Sequence, residues 1–176
     1  MNADVLGIAK SIRDQLQASN ARLVTAESCT AGRIAATLAS IPGISQWLCG
    51  GFIVYRSGSK HAWLGIPTNI LDDPAHGPVS PLTSDLLCRA ALERTPEASW
   101  SLSITGEIGP GAPTSTDGHC FAAITCRSSS TIRRKQLILQ NPPPVNSEDI
   151  TGRIMRLEEA TLQALEFLLE QLSLKA

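Results

Sequence analysis

The sequence predicts an α/β fold, a three-layer α/β/α sandwich built on a mixed central sheet. Strand-like runs alternate with helical stripes through much of the chain, two strand-like runs then meet across a short polar turn, and a long amphipathic stretch follows. Alternation calls for parallel strands with helices on both faces, whereas the short turn calls for antiparallel neighbours, so the sheet is mixed. At 176 residues the chain can remove about 70% of its unfolded surface from water as one unit, and residues 1–176 are read as a single domain.

The elements follow in order. Val5, Ile8, Ala9, Ile12 and Leu16 recur at spacings of three and four, predicting a helix that ends near Ser19-Asn20 and covers a sheet face. Arg22 to Thr25 reads as a short strand, followed by Glu27-Ser28-Cys29-Thr30 and a helical pattern on Ile34, Ala35, Leu38 and Ala39 that stops at Pro42-Gly43. Gly50 to Tyr55 is a second strand-like run. Ser59 to Leu64 begins another helix before Gly65-Ile66-Pro67 breaks it, and Val79-Ser80 precedes a helix over Pro81 to Glu93. Trp100 to Thr105 alternates as a strand and runs into Gly106 to Pro113, a segment dense in turn formers. His119 to Cys126 and Ile132 to Leu139 are strand-like and joined by the Arg127 to Ser130 turn. Pro142-Pro143-Pro144 forbids regular structure, and Asp149 to Leu174 is a long helix carrying Ile150, Ile154, Leu157, Leu165 and Leu168.

Composition excludes several function classes. A net charge of −1 argues against a nucleic-acid binder or a polybasic membrane module, which need clustered cations to neutralise phosphates. The one cationic cluster, Arg133-Arg134-Lys135, is read as a solvated strand end or turn. Five cysteines without CxxC spacing point to neither a zinc cage nor a disulfide framework, so they are read as reduced, mostly buried small hydrophobes. His61, His76 and His119 lack metal-ligand spacing and are read as structural, with no metal and no organic cofactor expected. With no signal-peptide pattern and no apolar run of about twenty residues, the expected location is cytoplasmic, with no membrane partner.

Three constellations can carry chemistry. Ser28 sits at a strand-to-helix junction, where exposed amides can hold an oxyanion; a helix cap is the competing role for a serine so placed. Tyr55 and Lys60, five residues apart, can both turn toward one strand-end cleft, although a lone lysine is commonly a surface residue. Four lysines stand beside eleven arginines, and only an ammonium, not a guanidinium, loses its proton near neutral pH when desolvated. Ser103-Ile104-Thr105-Gly106 with its Gly/Pro loop can present amides to a phosphate or simply connect two strands, and it lacks the Walker ending. Cys29, beside Ser28, has no histidine partner that marks it as a nucleophile.

Thr25-Ala26-Glu27-Ser28-Cys29-Thr30-Ala31-Gly32 resembles the TAESCTGG signature of the CinA C-terminal domain family, the nicotinamide mononucleotide deamidases. The resemblance continues in order through Gly51 to Tyr55 with Lys60, Leu64-Gly65-Ile66, His76 to Ser80, and Ser103 to Gly106 with Gly109-Pro110. It spans Val5 to Leu169 and is closest to the stand-alone form of the family. It implies an amidohydrolase that converts nicotinamide mononucleotide to nicotinate mononucleotide and ammonia by a Ser/Lys mechanism. Ser28 would be the nucleophile, Lys60 the general base and then acid, Tyr55 a relay or orienting group, and helix N-terminal amides near Ser28 the oxyanion donors. Thr105 resembles a family site residue, and Arg153 matches an arginine suited to the site network or the substrate phosphate. A nucleotide substrate and a homo-oligomer are the implied partners. The chain departs from the family pattern at Arg56-Ser57-Gly58-Ser59 (commonly Ser-Asn-Glu-Ala), at Ala31 for Gly, at Glu107, at His119-Cys120, and at Thr151-Gly152 before Arg153. The alternative reading is therefore a catalytically weakened homologue that binds pyridine nucleotides or regulates.

Overall fold

The structure, a computed structural model, describes residues 3–174. Five strands lie in the order β2-β1-β3-β4-β5: β1 Leu23–Glu27, β2 Leu48–Ile53, β3 Trp100–Gly106, β4 His119–Cys126 and β5 Ser129–Ile138. β1 runs parallel to β2 and β3, while β3/β4 and β4/β5 are antiparallel, as the short turn requires. The helices are α1 Ala3–Ala18, α2 Arg33–Ala39, α3 Ser57–Leu64, α4 Thr68–Leu71, α5 Pro81–Arg94 and α6 Ile150–Ser173.

The period-2 alternation of the strands sorts side chains into two cores. On one face Leu23, Leu102, Ile104 and Ile124 pack with Ala9, Ile12 and Leu16 of α1, Ile34 and Leu38 of α2, and Leu165 and Leu168 of α6. On the other, Val24 and Ala26 pack with Leu64 of α3, Leu71 of α4, and Leu87 and Ala91 of α5. The three-layer sandwich follows. Among the described residues no helix is long and apolar enough to cross a membrane.

Several boundaries differ from the sequence reading. The second strand starts at Leu48 and ends at Ile53, because its limits are set by pairing with β1 (Leu23 beside Leu48, Glu27 beside Ile53) and not by its β-branched content. Gly51 is required there: a Cβ would stand 2.2 Å from Thr25 Oγ1. α4 has too few residues to display a helical period. On α6, Ile150 and Ile154 are exposed and lie outside the core. The buried stripe runs instead through Ala160, Ala164, Leu165, Phe167, Leu168 and Leu172, while Arg153 and Arg156 of the first turns meet the loops at Gly109, Asp117 and Asn141.

Arg133-Arg134-Lys135 is not a strand end or turn but the middle of the edge strand β5. Arg134 points to the α5 face and pairs with Asp85 (Nη2 to Oδ2, 2.6 Å). Arg133 and Lys135 point to the other face, where Arg133 donates to Gln171 Oε1 at 2.6 Å and the Lys135 ammonium lies 5.7 Å from the centre of the Phe167 ring. Alternation along the strand gives these cations partners on both faces, and charged side chains on an edge strand discourage further strand pairing.

The connections define where a site can form. β1 leaves through α2 on the α1/α6 face, whereas β2 leaves through α3, α4 and α5 on the opposite face to reach β3 on the other side of β1. The two connections diverge at the carboxyl ends of β1 and β3, the topological switch point where open α/β sheets form their ligand crevice.

Candidate active site

Ser28 is the first residue past β1, and its amide donates to Ile104 O of β3 at 3.0 Å. Its side chain is not a helix cap. α2 begins only at Arg33, and its N-terminal amides are taken by the preceding residue, Glu27, which is 1% exposed. Glu27 Oε2 accepts from Thr30 Oγ1 (2.7 Å), Gly32 N (3.0 Å) and Ile34 N (3.0 Å), while Oε1 accepts from Ala35 N (2.9 Å). A carboxylate at a helix N-terminus also complements the helix dipole. With the capping done by Glu27, the Ser28 hydroxyl is available for another partner. The same geometry corrects the expectation for the oxyanion donors, because the Gly32, Ile34 and Ala35 amides are occupied by Glu27.

The turn between them, residues 28–32, carries two left-handed residues in succession, Ala31 (φ 52°) and Gly32 (φ 92°). An alanine is strained there by about 1–2 kcal/mol, which explains what the departure from glycine at position 31 costs. Ala31→Gly is expected to raise the unfolding free energy by about 0.5–1 kcal/mol, part of the relief being returned through the greater freedom of glycine in the unfolded chain; urea unfolding measures it.

The partner of Ser28 is Lys60. α3 carries this lysine inward, 2% exposed, and its Nζ lies 2.8 Å from Ser28 Oγ. Burial lowers the Lys60 pKa from its ordinary 10.5, and the nearby Cys29 and Glu107 partly oppose that shift. A desolvated amine against a hydroxyl is an arrangement that can withdraw the hydroxyl proton.

Both side chains open onto a cavity of about 570 Å³, lined further by Tyr55, Arg56, Pro78, Val79, the loop from Gly106 to Pro110, and Arg153. Tyr55 is half exposed, and its hydroxyl accepts from Arg153 Nη2 at 2.7 Å; no hydrogen bond joins it to Ser28 or Lys60 among the described residues. Arg153 also donates to Gly109 O through Nη1. Its place is fixed by Asp149, which caps α6 by accepting from Gly152 N at 2.9 Å and from Val145 N at 3.1 Å; these two amides hold the Asp149 pKa below its ordinary value.

Thr105 is fully buried and outside the cavity lining. Its Oγ1 donates to Pro78 O at 2.9 Å, tying the Pro78-Val79 wall to the end of β3. Of the five residues singled out in the sequence, the structure thus brings Ser28 and Lys60 into contact, joins Tyr55 to Arg153 on the cavity wall, and sets Thr105 behind the wall as a tether.

Two residues with structural consequences for the site were not singled out. Glu27, inside the Thr25 to Gly32 motif, caps α2, and its signal in the sequence is an acidic residue just before a helix start. Arg156, buried, donates to Asp117 Oδ1 at 2.6 Å and to Asn141 O at 3.0 Å, holding the strand-connecting loop against α6. It stands three residues after Arg153, one turn along the same side of the helix. Cys29 lines the cavity, but its Sγ contacts Cys120 Sγ at 3.9 Å, and the five cysteines are free thiols.

Fold and site define a class: an α/β sandwich with a buried lysine amine against a serine hydroxyl at the carboxyl ends of parallel strands. A family model of the CinA C-terminal domain matches residues 6–172, and the chain belongs to that family. It is 33% identical over 162 residues to a CinA-like protein of Prochlorococcus marinus, covering 87% of this chain and 37% of that protein. To a CinA-like protein of Mycolicibacterium paratuberculosis it is 39% identical over 135 residues, 75% of this chain and 30% of that one. The chain therefore spans only about a third of the length of these curated relatives. Among solved structures, the competence/damage inducible protein CihA of Agrobacterium tumefaciens superimposes with a TM-score of 0.80 at 28% identity, over 96% of this chain and 95% of that one. A CinA superfamily protein of Klebsiella pneumoniae gives 0.83 at 21% identity over 98% and 99%, a likeness of fold.

Proposed function

We propose that this chain is an amidohydrolase that deamidates nicotinamide mononucleotide to nicotinate mononucleotide and ammonia, with Ser28 as nucleophile and Lys60 as general base and acid. The observation that carries this reading is the 2.8 Å contact between a buried Lys60 Nζ and Ser28 Oγ on the wall of a cavity. In the amine form of Lys60 the hydroxyl donates to the nitrogen lone pair. The Oγ proton passes to Nζ as the Oγ–C bond forms at the carboxamide carbon. Collapse of the tetrahedral adduct breaks the C–N bond, and the Lys60 ammonium returns its proton to the leaving nitrogen, which departs as ammonia. Water then attacks the acyl ester with Lys60 again taking a proton; Lys60 returns that proton to Oγ as the C–Oγ bond breaks, and the acid product leaves, ionising to the carboxylate in solvent.

For the oxyanion we assign the Cys29 amide, which belongs to a cavity residue and donates to no protein acceptor among the described residues. Arg56 and Arg153 supply positive charge on the cavity wall for the substrate phosphate. The altered segment Arg56 to Ser59 leaves the Ser28–Lys60 contact intact, which favours turnover over a homologue that only binds. We also propose that the chain acts as a single catalytic domain and self-associates, which light scattering would measure.

The test is ammonia release from nicotinamide mononucleotide by purified protein. Binding without product over long incubation would instead support the weakened homologue. Activity is expected to rise with pH as Lys60 loses its proton, with the midpoint below the ordinary lysine value of 10.5, and to level off above it. A rate that falls with pH through that window contradicts Lys60 as base.

A further inference from the structure

We propose that Glu107 is a specificity-determining residue whose carboxylate selects amide substrates carrying a positive charge on the ring over neutral rings of the same shape. The inference rests on the deamidase reading above and deepens it.

Lys60, Arg56, Arg153 and Glu107 all line the cavity. The cationic groups nearest the chemistry have partners: Lys60 meets Ser28, and Arg153 holds Gly109 O and the Tyr55 hydroxyl. Glu107 is different. Among the described residues its carboxylate makes no hydrogen bond or ion pair, although it is only partly exposed. Its main chain is pinned on both sides, the amide donating to His119 O and the carbonyl accepting from Gly118 N, each at 2.9 Å. The residue is therefore held at the cavity wall on a fixed strand end, one residue past β3.

An unpartnered carboxylate in a cleft loses hydration when a ligand covers it, and a cationic group restores more of what is lost than a neutral group of the same shape. A neutral ring makes the same steric contacts without that compensation. The proximity of Glu107 to the reacting pair is apparent in its electrostatic pull on Lys60, which favours the ammonium. Arg56 and Arg153 suit an anionic group, so the cavity offers opposite charges to the two parts of a zwitterionic substrate. Nicotinamide mononucleotide has this character: the ring nitrogen bound to ribose makes the ring a pyridinium, and the phosphate is anionic. Its reduced form keeps the carboxamide, ribose and phosphate but has a neutral ring. The two ligands isolate one charge.

The experiment compares Glu107→Gln with the native chain on both nucleotides, by steady-state kinetics and by calorimetric Kd on a Ser28→Ala background. Glutamine preserves side-chain length and both main-chain hydrogen bonds, so an unchanged thermal midpoint is expected. The variant should weaken binding of the oxidised nucleotide about tenfold, as loss of one partly solvated ion pair implies, and leave the reduced one unchanged or bound more tightly. Comparison of ratios cancels the intrinsic difference in carboxamide reactivity between the ligands. Equal effects on both nucleotides, or none, overturn the role of Glu107 while leaving the deamidase reading in place. Failure of the native chain to bind or hydrolyse either nucleotide overturns both.

Discussion

Lys60→Met is expected to lower kcat for ammonia release by about a thousandfold, the scale of a lost general base, with little change in KM. Methionine fills the buried channel that the lysine stem occupies, so the loss isolates the amine from the packing. Lys60→Arg should be equally inactive, since a guanidinium keeps its proton and cannot accept one from Ser28. Stability supplies an independent readout. The folded chain holds the Lys60 pKa below 10.5, so between that lowered value and 10.5 the unfolded chain binds more protons than the folded one. Unfolding free energy attributable to this group therefore rises with pH across the window and is lost as pH falls through it. Urea unfolding at two pH values should show that slope in the native chain and lack it in Lys60→Met. A methionine variant that keeps activity within a few-fold would remove Lys60 from the mechanism, whatever the substrate.

Glu27→Gln is expected to cost about 2–3 kcal/mol of stability through donors left without acceptors in a buried site. Five groups converge on the Glu27 carboxyl, three on Oε2 and two, the Ala35 amide and the Thr25 hydroxyl, on Oε1. A glutamine has one acceptor oxygen, and its NH2 group must face either the Ala35 amide or the three donors on the other side. Glu27→Ala removes every acceptor and should cost more, about 4 kcal/mol. Because Glu27 orders the turn that follows Ser28, kcat should fall in Glu27→Gln even at temperatures where the protein remains folded. Thermal unfolding and kinetics at low temperature separate the two effects. A variant as stable as the native chain would show that the α2 cap is supplied by another group.

Neither expectation could be drawn from the chain order alone. The motif Thr25 to Gly32 marked Ser28, but position left two roles open, cap or nucleophile. The choice is made by Glu27, whose side chain reaches amides five to eight residues ahead. Similarly, the spacing of Tyr55 and Lys60 placed both near one strand end, yet Tyr55 turns to Arg153, 98 positions away, and only Lys60 reaches Ser28. Thr105 lay in a recognisable segment, but strand alternation sends its side chain to Pro78 behind the cavity.

By itself the sequence determined the order of strands and helices, the mixed sheet, and the family to which the chain belongs. These rest on periodicity, turn chemistry and ordered motifs, all properties of neighbouring residues. Tertiary structure alone decided which polar groups are buried together, because desolvation and hydrogen-bond pairing depend on segments distant along the chain. A lysine is an ordinary surface cation until packing removes its water, and a serine is an ordinary cap until another residue takes that place.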